Sequence, residues 1–327
     1  MAREMLGVAI VIGLLLAMVP NTMQLPLHRP DIDGPFIGLI LSGSSYEKLL
    51  LDSGLYVPEP ETSLIQIAGR TFNIGTFNGV PTIYVVSTSP LAHVSATVQI
   101  LVDHFHILGI IDLGNAAVVS PSVKLADVAV LDKTSFISAW TWKEYEGGIE
   151  TSNELPSLRF GDYNVPEAGD NKLGSLQFLK IKKYTPKGSN KETFWYYIDP
   201  EWLEMASQLK DINLESCTEE RLCTKDVPSV VYRVKGASSD AYVLNHAYGK
   251  FLNKHLNVST VDRKSAAVVS TAVANGVKHI VFRGASNKPG MPYDKKLSAL
   301  ATKNSFKVAS KFVELLANQL PLIKYKY

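Results

Sequence analysis

Cysteine is scarce in this sequence, with 2 among 327 residues, at positions 217 and 223. That count excludes a disulfide-rich scaffold, a multi-cysteine zinc site and an iron–sulfur cluster. Excess charge is missing too. The 33 basic and 31 acidic residues leave a formal +2, too weak a field to hold nucleic acid, so no nucleic-acid partner is expected. No repeat of solenoid or propeller length occurs, and no G-x-S-x-G elbow marks a serine hydrolase. His104 and His106 are the nearest thing to a metal pair. They lie two apart and diverge on a helix, so no metal site is expected. What remains is a chain of globular composition, 46% hydrophobic and 20% charged, long enough to bury a large core.

The longest apolar run stands at the start. Arg3 precedes 14 apolar or small residues from Leu6 to Val19, broken by Pro20 and Asn21. The run is shorter than a membrane span and suits a secretory signal peptide over residues 1–23. No later run reaches spanning length, so no membrane association is expected once the signal is removed. The secretory pathway, ending in a vacuole or outside the cell, is the expected location. Cys217 and Cys223 fit that address. They flank a short polar loop that closes readily in an oxidising compartment, worth about 2 kcal/mol by chain entropy. Asn257-Val258-Ser259 is a glycosylation sequon.

Residues 24–35 are proline-rich and read as a tether. Phe36–Leu41 is a continuous apolar run, as in a buried strand. Leu64–Ala68 and Thr71–Ile74 flank Gly69-Arg70, which predicts a hairpin. Thr82–Ser87, Leu108–Leu113 (ending at Gly114), Val128–Leu131, Ser229–Val234 and His279–Arg283 predict strands. His93–Phe105, Asp240–His255, Ser265–Asn275 (closed by Gly276) and Lys295–Leu320 carry helical spacing. Residues of about 140–226 differ in texture, richer in Trp, Tyr, Lys, Gly and Pro, and read as an insertion containing a short helix at Glu201–Leu209. Residues 321–327 form a tail. Strands alternating with helices at both ends predict an α/β fold.

Several short segments occur in an order that resembles one family. Ile37-Gly38-Leu39-Ile40 resembles its opening strand, Gly75–Gly79 the tail of its second hairpin, and Asp112-Leu113-Gly114-Asn115-Ala116-Ala117 its glycine-rich strand-to-loop turn. Val123–Val130 follows as the returning strand. Ser238-Ser239-Asp240-Ala241-Tyr242 resembles S-x-D-A-F, Val261–Val268 resembles V-[DE]-M-E-[SA]-A-A, and Arg283-Gly284-Ala285-Ser286-Asn287 resembles R-x-x-S-D. The set is similar to the nucleoside phosphorylase and methylthioadenosine/adenosylhomocysteine nucleosidase superfamily. It resembles most the plant branch of bark and vegetative storage proteins, which are secretory and carry a cysteine pair in a central insertion. The resemblance implies a three-layer fold over 36–320, with a central mixed sheet flanked by helices, and a homo-oligomer.

It also implies a site. Cleaving an N-glycosidic bond needs an acid for the leaving base, a carboxylate on the ribose, and an activated water or a phosphate as nucleophile. The acid position reads Asn287, which can bond a purine but is no Brønsted acid. The ribose carboxylate position reads Lys264. A like charge about 4 Å from an oxocarbenium-like centre costs of order 1–4 kcal/mol. The water-activating position falls on Tyr46, with Glu47 beside it as a possible replacement. Asp240 and Tyr242 would border the base and Arg283 would face an anion, or Asp240 and Arg283 are structural, capping a helix and closing a strand. His93 would contact phosphate or ribose from its loop or lie at the surface, and Gly114 lies in the turn. The implied function is a storage-type protein with a degenerate site. The alternatives are an active purine nucleoside phosphorylase or nucleosidase, with phosphate as co-substrate in the first case and no other cofactor, and a purine or nucleoside binder without turnover.

Overall fold

A computed structural model describes residues 34–143, 155, 157–159, 175–188, 191–218 and 223–319. The expected signal (1–23), nearly all of the tether, the segments Gly147-Gly148, Gly161-Asp162 and Gly169-Asp170 of the insertion, and the tail (321–327) lie outside the described residues.

The chain runs β1 (Phe36–Leu41), α1 (Ser44–Asp52), β2 (Tyr56–Pro58), β3 (Leu64–Ile67), β4 (Arg70–Phe77), β5 (Val80–Val86), α2 (Leu91–His104), β6 (Ile107–Val118) and β7 (Val128–Phe136). Next come β8 (Trp140–Lys143), β9 (Ser157–Arg159), β10 (Ser175–Phe178), β11 (Ile181–Lys182), β12 (Glu192–Thr193), β13 (Tyr196–Tyr197) and α3 (Pro200–Met205), with a 3₁₀ turn at Ala206–Leu209. The final part is β14 (Val230–Ser238), α4 (His246–Leu256), β15 (Val258–Asp262), α5 (Ser265–Asn275), β16 (Lys278–Asn287) and α6 (Lys295–Gln319).

The central sheet is mixed. β1 pairs in parallel with β5 and β6, β6 with β16, β7 with β14, and β14 with β15. β15 returns antiparallel to β6, and β16 antiparallel to β7. These pairings close a ring, β7–β14–β15–β6–β16 and back to β7, with β1, β5, β4, β2 and β3 extending from β6. The core follows from the apolar runs. β1 is buried at every residue, and Ile111, Leu113, Val128–Leu131, Ile280–Phe282 and the inner face of α6 fill the main cluster.

Several predicted boundaries hold. β1 and α5 match their expected spans, and Gly276 closes α5 in the left-handed region at φ 68°. The expected hairpin forms, but it turns one residue earlier than Gly69-Arg70, at Ala68 and Gly69, both with positive φ, as a two-residue turn between twisted strands requires.

Others shift for physical reasons. β6 does not end at Gly114 but continues to Val118, because Gly114 is needed for close approach and not for a turn. The expected helix Asp240–His255 begins only at His246, where Asn245 accepts the Tyr248 N–H at 2.8 Å as its cap. The inserted segment contributes to the main core through Tyr196, Trp202, Leu209 and Leu214. A Cβ on Gly109 would come within 2.2 Å of the Trp202 ring, so the insertion packs directly on β6. Cys217 and Cys223 form a disulfide. Asn257 sits in the left-handed cap of α4.

Candidate functional site

The ends of β1, β6, β15 and β16 meet the loops at 241–244 and 291–295 and the first turns of α1 and α6 around a cavity of about 810 Å³. Ser42, Tyr46, Asn115, Tyr242, Lys264, Arg283 and Asn287 are among the lining residues.

Beneath the cavity lies a buried cluster of four charges. Arg283 is fully buried and donates from Nη2 to Asp112 Oδ2 and from Nε to Asp262 Oδ2 at 2.8 Å. Lys264 Nζ lies 3.3 Å from Asp112 Oδ1. Asp262 accepts five hydrogen bonds, from the Ser238 and Ser265 hydroxyls, the Lys264 and Ser265 amides, and Arg283. The two amides are those of Lys264, just before α5, and Ser265, its first residue, so Asp262 at the end of β15 holds the start of the helix that follows. Buried charges persist only when paired in this way.

The titrations follow. Burial alone would raise the Asp262 carboxyl, but Arg283 and the donated hydrogen bonds outweigh it and hold it below its ordinary value. It is neither an acid nor a base near neutral pH. Burial lowers Lys264 to about 8, against the pull of Asp112 and with the repulsion of Arg283. Burial would lower Arg283, but Asp112 and Asp262 reverse that and raise it.

Tyr46 is 2% exposed, and its hydroxyl donates to Asn115 Oδ1 at 2.7 Å and lies 2.8 Å from Ser305 Oγ. Asn115 Nδ2 donates in turn to Thr302 Oγ1 at 2.7 Å. Burial pushes the Tyr46 hydroxyl above the ordinary tyrosine value. It is a fixed hydrogen-bonding post between α1, β6 and α6, and no proton acceptor.

The residues expected to share a site divide. Asn287, Lys264, Tyr242 and Arg283 line the cavity. Asn287 Oδ1 lies 2.9 Å from Ser286 Oγ. Gly114 lies just below, where an added Cβ would be 1.9 Å from Ser42 Oγ and 3.2 Å from Arg283 Nη1. Glu47, Asp240 and His93 are not in the lining. Glu47 turns to the Tyr84 hydroxyl, because the residue after Tyr46 on α1 points about 100° away. Asp240 Oδ1 accepts the Leu91 N–H at 2.7 Å and so caps α2, whose own preceding residue, Pro90, makes no side-chain cap. His93 is exposed, and its backbone carbonyl, at 3.4 Å, accepts from Arg70.

Two residues escaped the sequence reading. Asp112 was seen only as part of a motif, yet it holds both Arg283 and Lys264. The signal was there, since a lone acid in the apolar run Ile110-Ile111-Asp112-Leu113 needs a buried cation. Arg263 is the second, with its guanidinium 4.1 Å from the Tyr242 ring centroid at the cavity wall. Nothing in its local pattern separates it from a surface arginine. Among the described residues no group of three metal-ligating side chains converges.

The sequence pattern that defines the phosphorylase superfamily matches residues 37–320. Bark storage protein A of Populus deltoides is 39% identical over 280 residues, which cover 85% of this chain and 88% of that protein. Among solved structures, futalosine hydrolase of Helicobacter pylori is similar with a TM-score of 0.59 at 16% identity, over 88% of this chain and 98% of that one. An aspartate-to-asparagine mutant of the H. pylori 5′-methylthioadenosine/S-adenosylhomocysteine nucleosidase, with 5′-methylthioadenosine in its active site, has a TM-score of 0.59 at 15% identity. It covers 88% of this chain and all of its own.

Proposed function

This chain belongs to the phosphorylase superfamily, and from that premise we propose a storage-type protein, like the bark storage protein it resembles, whose cavity does not cleave nucleosides. One observation carries the reading. Among the described residues, the only carboxylate in the cavity wall is Asp262, and all its acceptor capacity is used by five donors. A leaving purine would find Asn287, and the ribose would find the Lys264 ammonium. Removing one general acid costs about 10²–10⁴ in rate, and the positive charge at Lys264 opposes the cation that develops on the sugar. A signal-directed route to a vacuole or the cell exterior, glycosylation at Asn257 and assembly with further copies of the chain belong to the same proposal.

The test is base release. Purified protein is incubated with adenosine, inosine and methylthioadenosine, with and without phosphate, and free base is followed by chromatography. No release above a boiled control is the expected result. Release would refute the reading, and phosphate dependence would then name a phosphorylase. Restoring activity takes more than Lys264→Glu with Asn287→Asp. A carboxylate at 264 would face Asp112, at a cost of about 4 kcal/mol for two like charges ~4 Å apart at an effective dielectric of ~20. Asp112→Asn is therefore part of the reverting set.

A second reading has its own support. A nucleosidase with an aspartate changed to asparagine holds methylthioadenosine in its active site, and Asn287 stands at an acid position in this chain. Retained binding of a nucleoside without product would appear as thermal stabilisation in the same samples.

A further inference from the structure

The cavity carries more positive charge than its own structure neutralises. Arg263, Lys264, Arg283 and Lys295 line it against the single carboxylate Asp262, and Asp112 lies behind. Arg283 uses both acids at hydrogen-bond distance. Lys264 is only 5% exposed, and its Nζ forms an ion pair with Asp112 Oδ1 at 3.3 Å but makes no hydrogen bond. Arg263 Nε is likewise buried without an acceptor. Lys264 thus has an ion pair to Asp112 but no hydrogen bond, and Arg263 lies over the Tyr242 ring with its Nε unbonded, so both residues of the cavity wall are short of acceptors. Buried donors normally have partners, and a charged one left alone is costly. Ribose hydroxyls would leave both charges in place, whereas an anion would compensate them.

The mouth has the opposite character. Tyr242, Leu244, Met291 and Tyr293 are exposed at 73%, 63%, 57% and 62%, and all four line this one cavity. A cationic floor under an apolar rim suits an amphiphilic anion. A carboxylate brings one negative charge to a wall whose cations outnumber its acids. A phosphate would bring a further oxygen and a further negative charge towards Asp112 and Asp262.

We propose that this cavity binds a small organic carboxylate with a flat apolar body, the carboxylate at Lys264 and Arg263 and the body against Tyr242, Leu244, Met291 and Tyr293. This rests on the reading that the cavity no longer cleaves glycosidic bonds. The groups around Lys264 are Asp112 on β6, Asp262 on β15 and Arg283 on β16, with Arg263, Lys295, Tyr46, Tyr242 and Tyr293 in the same wall.

The probe is 2-naphthoate, titrated calorimetrically into the full-length protein, with uncharged 2-naphthamide, inorganic phosphate and adenosine alongside. At pH 6.5 naphthoate is expected to bind at least about tenfold more tightly than the amide, a difference of the size a charge-assisted hydrogen bond supplies. Its affinity should fall above pH 8, where Lys264 loses its proton, and level off near that of the amide. Lys264→Met should remove the preference for naphthoate over the amide. If that variant does not fold, the pH series on the unaltered protein decides. Equal affinity for acid and amide, phosphate binding as tightly as naphthoate, or an affinity flat from pH 6.5 to 9.5 would each overturn the proposal. Base release from adenosine would overturn the storage reading and leave naphthoate binding to be judged by its own titration.

Discussion

Replacing Lys264 by methionine tests the electrostatics of the cavity in a way that does not depend on any ligand. Methionine fills a similar volume without the charge. Burial holds the Lys264 ammonium near 8 in the folded protein, against 10.5 for a free lysine side chain. The folded state therefore binds fewer protons than the unfolded state between about pH 8 and 10.5. The sign is that of a base with a depressed folded value. Its charged form costs stability below pH 8, and stability recovers as pH rises through the window. At about 1.4 kcal/mol per unit, the 2.5-unit difference corresponds to roughly 3 kcal/mol of recovery from pH 7 to 10.5. The methionine variant lacks that recovery. Its stability relative to the unaltered protein should decline by about 3 kcal/mol over the same range, whatever the offset at pH 7. Urea unfolding of both proteins, followed by tryptophan fluorescence at half-unit steps, measures the difference directly. Other groups that titrate in this range cancel between the two proteins. A difference that stays flat from pH 7 to 10.5 would refute the argument, since it would mean that Lys264 titrates alike in both states.

Three further outcomes follow from the geometry. Gly114→Ala places a methyl 1.9 Å from Ser42 Oγ and 3.2 Å from Arg283 Nη1, and such overpacking should cost about 1–3 kcal/mol in denaturant unfolding. Asp240→Ala removes the acceptor for the Leu91 N–H and should cost about 1 kcal/mol, with raised amide exchange confined to the first turn of α2. Replacing Cys217 and Cys223 by serine opens a loop of sequence separation 6 and should cost about 2 kcal/mol, leaving the cavity's ligand affinity unchanged.

The parts of the fold legible in the sequence were those fixed by local chemistry. Phe36–Leu41 could only be a buried strand, and Ser265–Asn275 followed by Gly276 carries both a helix and its stop. Strand ends were misplaced where tertiary contacts prevail over local signals. Gly114 looked like a terminator, but its missing Cβ makes room for Ser42 while β6 continues to Val118. Asp240 looked like the start of a helix, but its carboxylate caps α2, 149 residues away in sequence. The site was half legible. Lys264, Asn287, Tyr242 and Arg283 were found by motif and do meet in one cavity. Glu47 was misplaced because a one-residue step on a helix turns a side chain by about 100°. The apolar run around Asp112 signals that it needs a buried cation, but not which one, because its two partners come from positions 152 and 171 residues later.

The ring of five strands has a consequence for how the chain is made. Its first member, β6, ends at Val118 and its last, β16, begins only at Lys278. A chain emerging in order must therefore hold β6 and β7 with one pairing side open while 140 or so further residues appear, because β16 alone completes both. β6 is mostly apolar and β7 begins with the apolar run Val128–Leu131, so the unfinished molecule presents bare edges of the kind that recruit other chains. A fragment stopped before Lys278 should aggregate even though it contains most of the core, and closure of the ring should be slow because its contacts are distant in sequence.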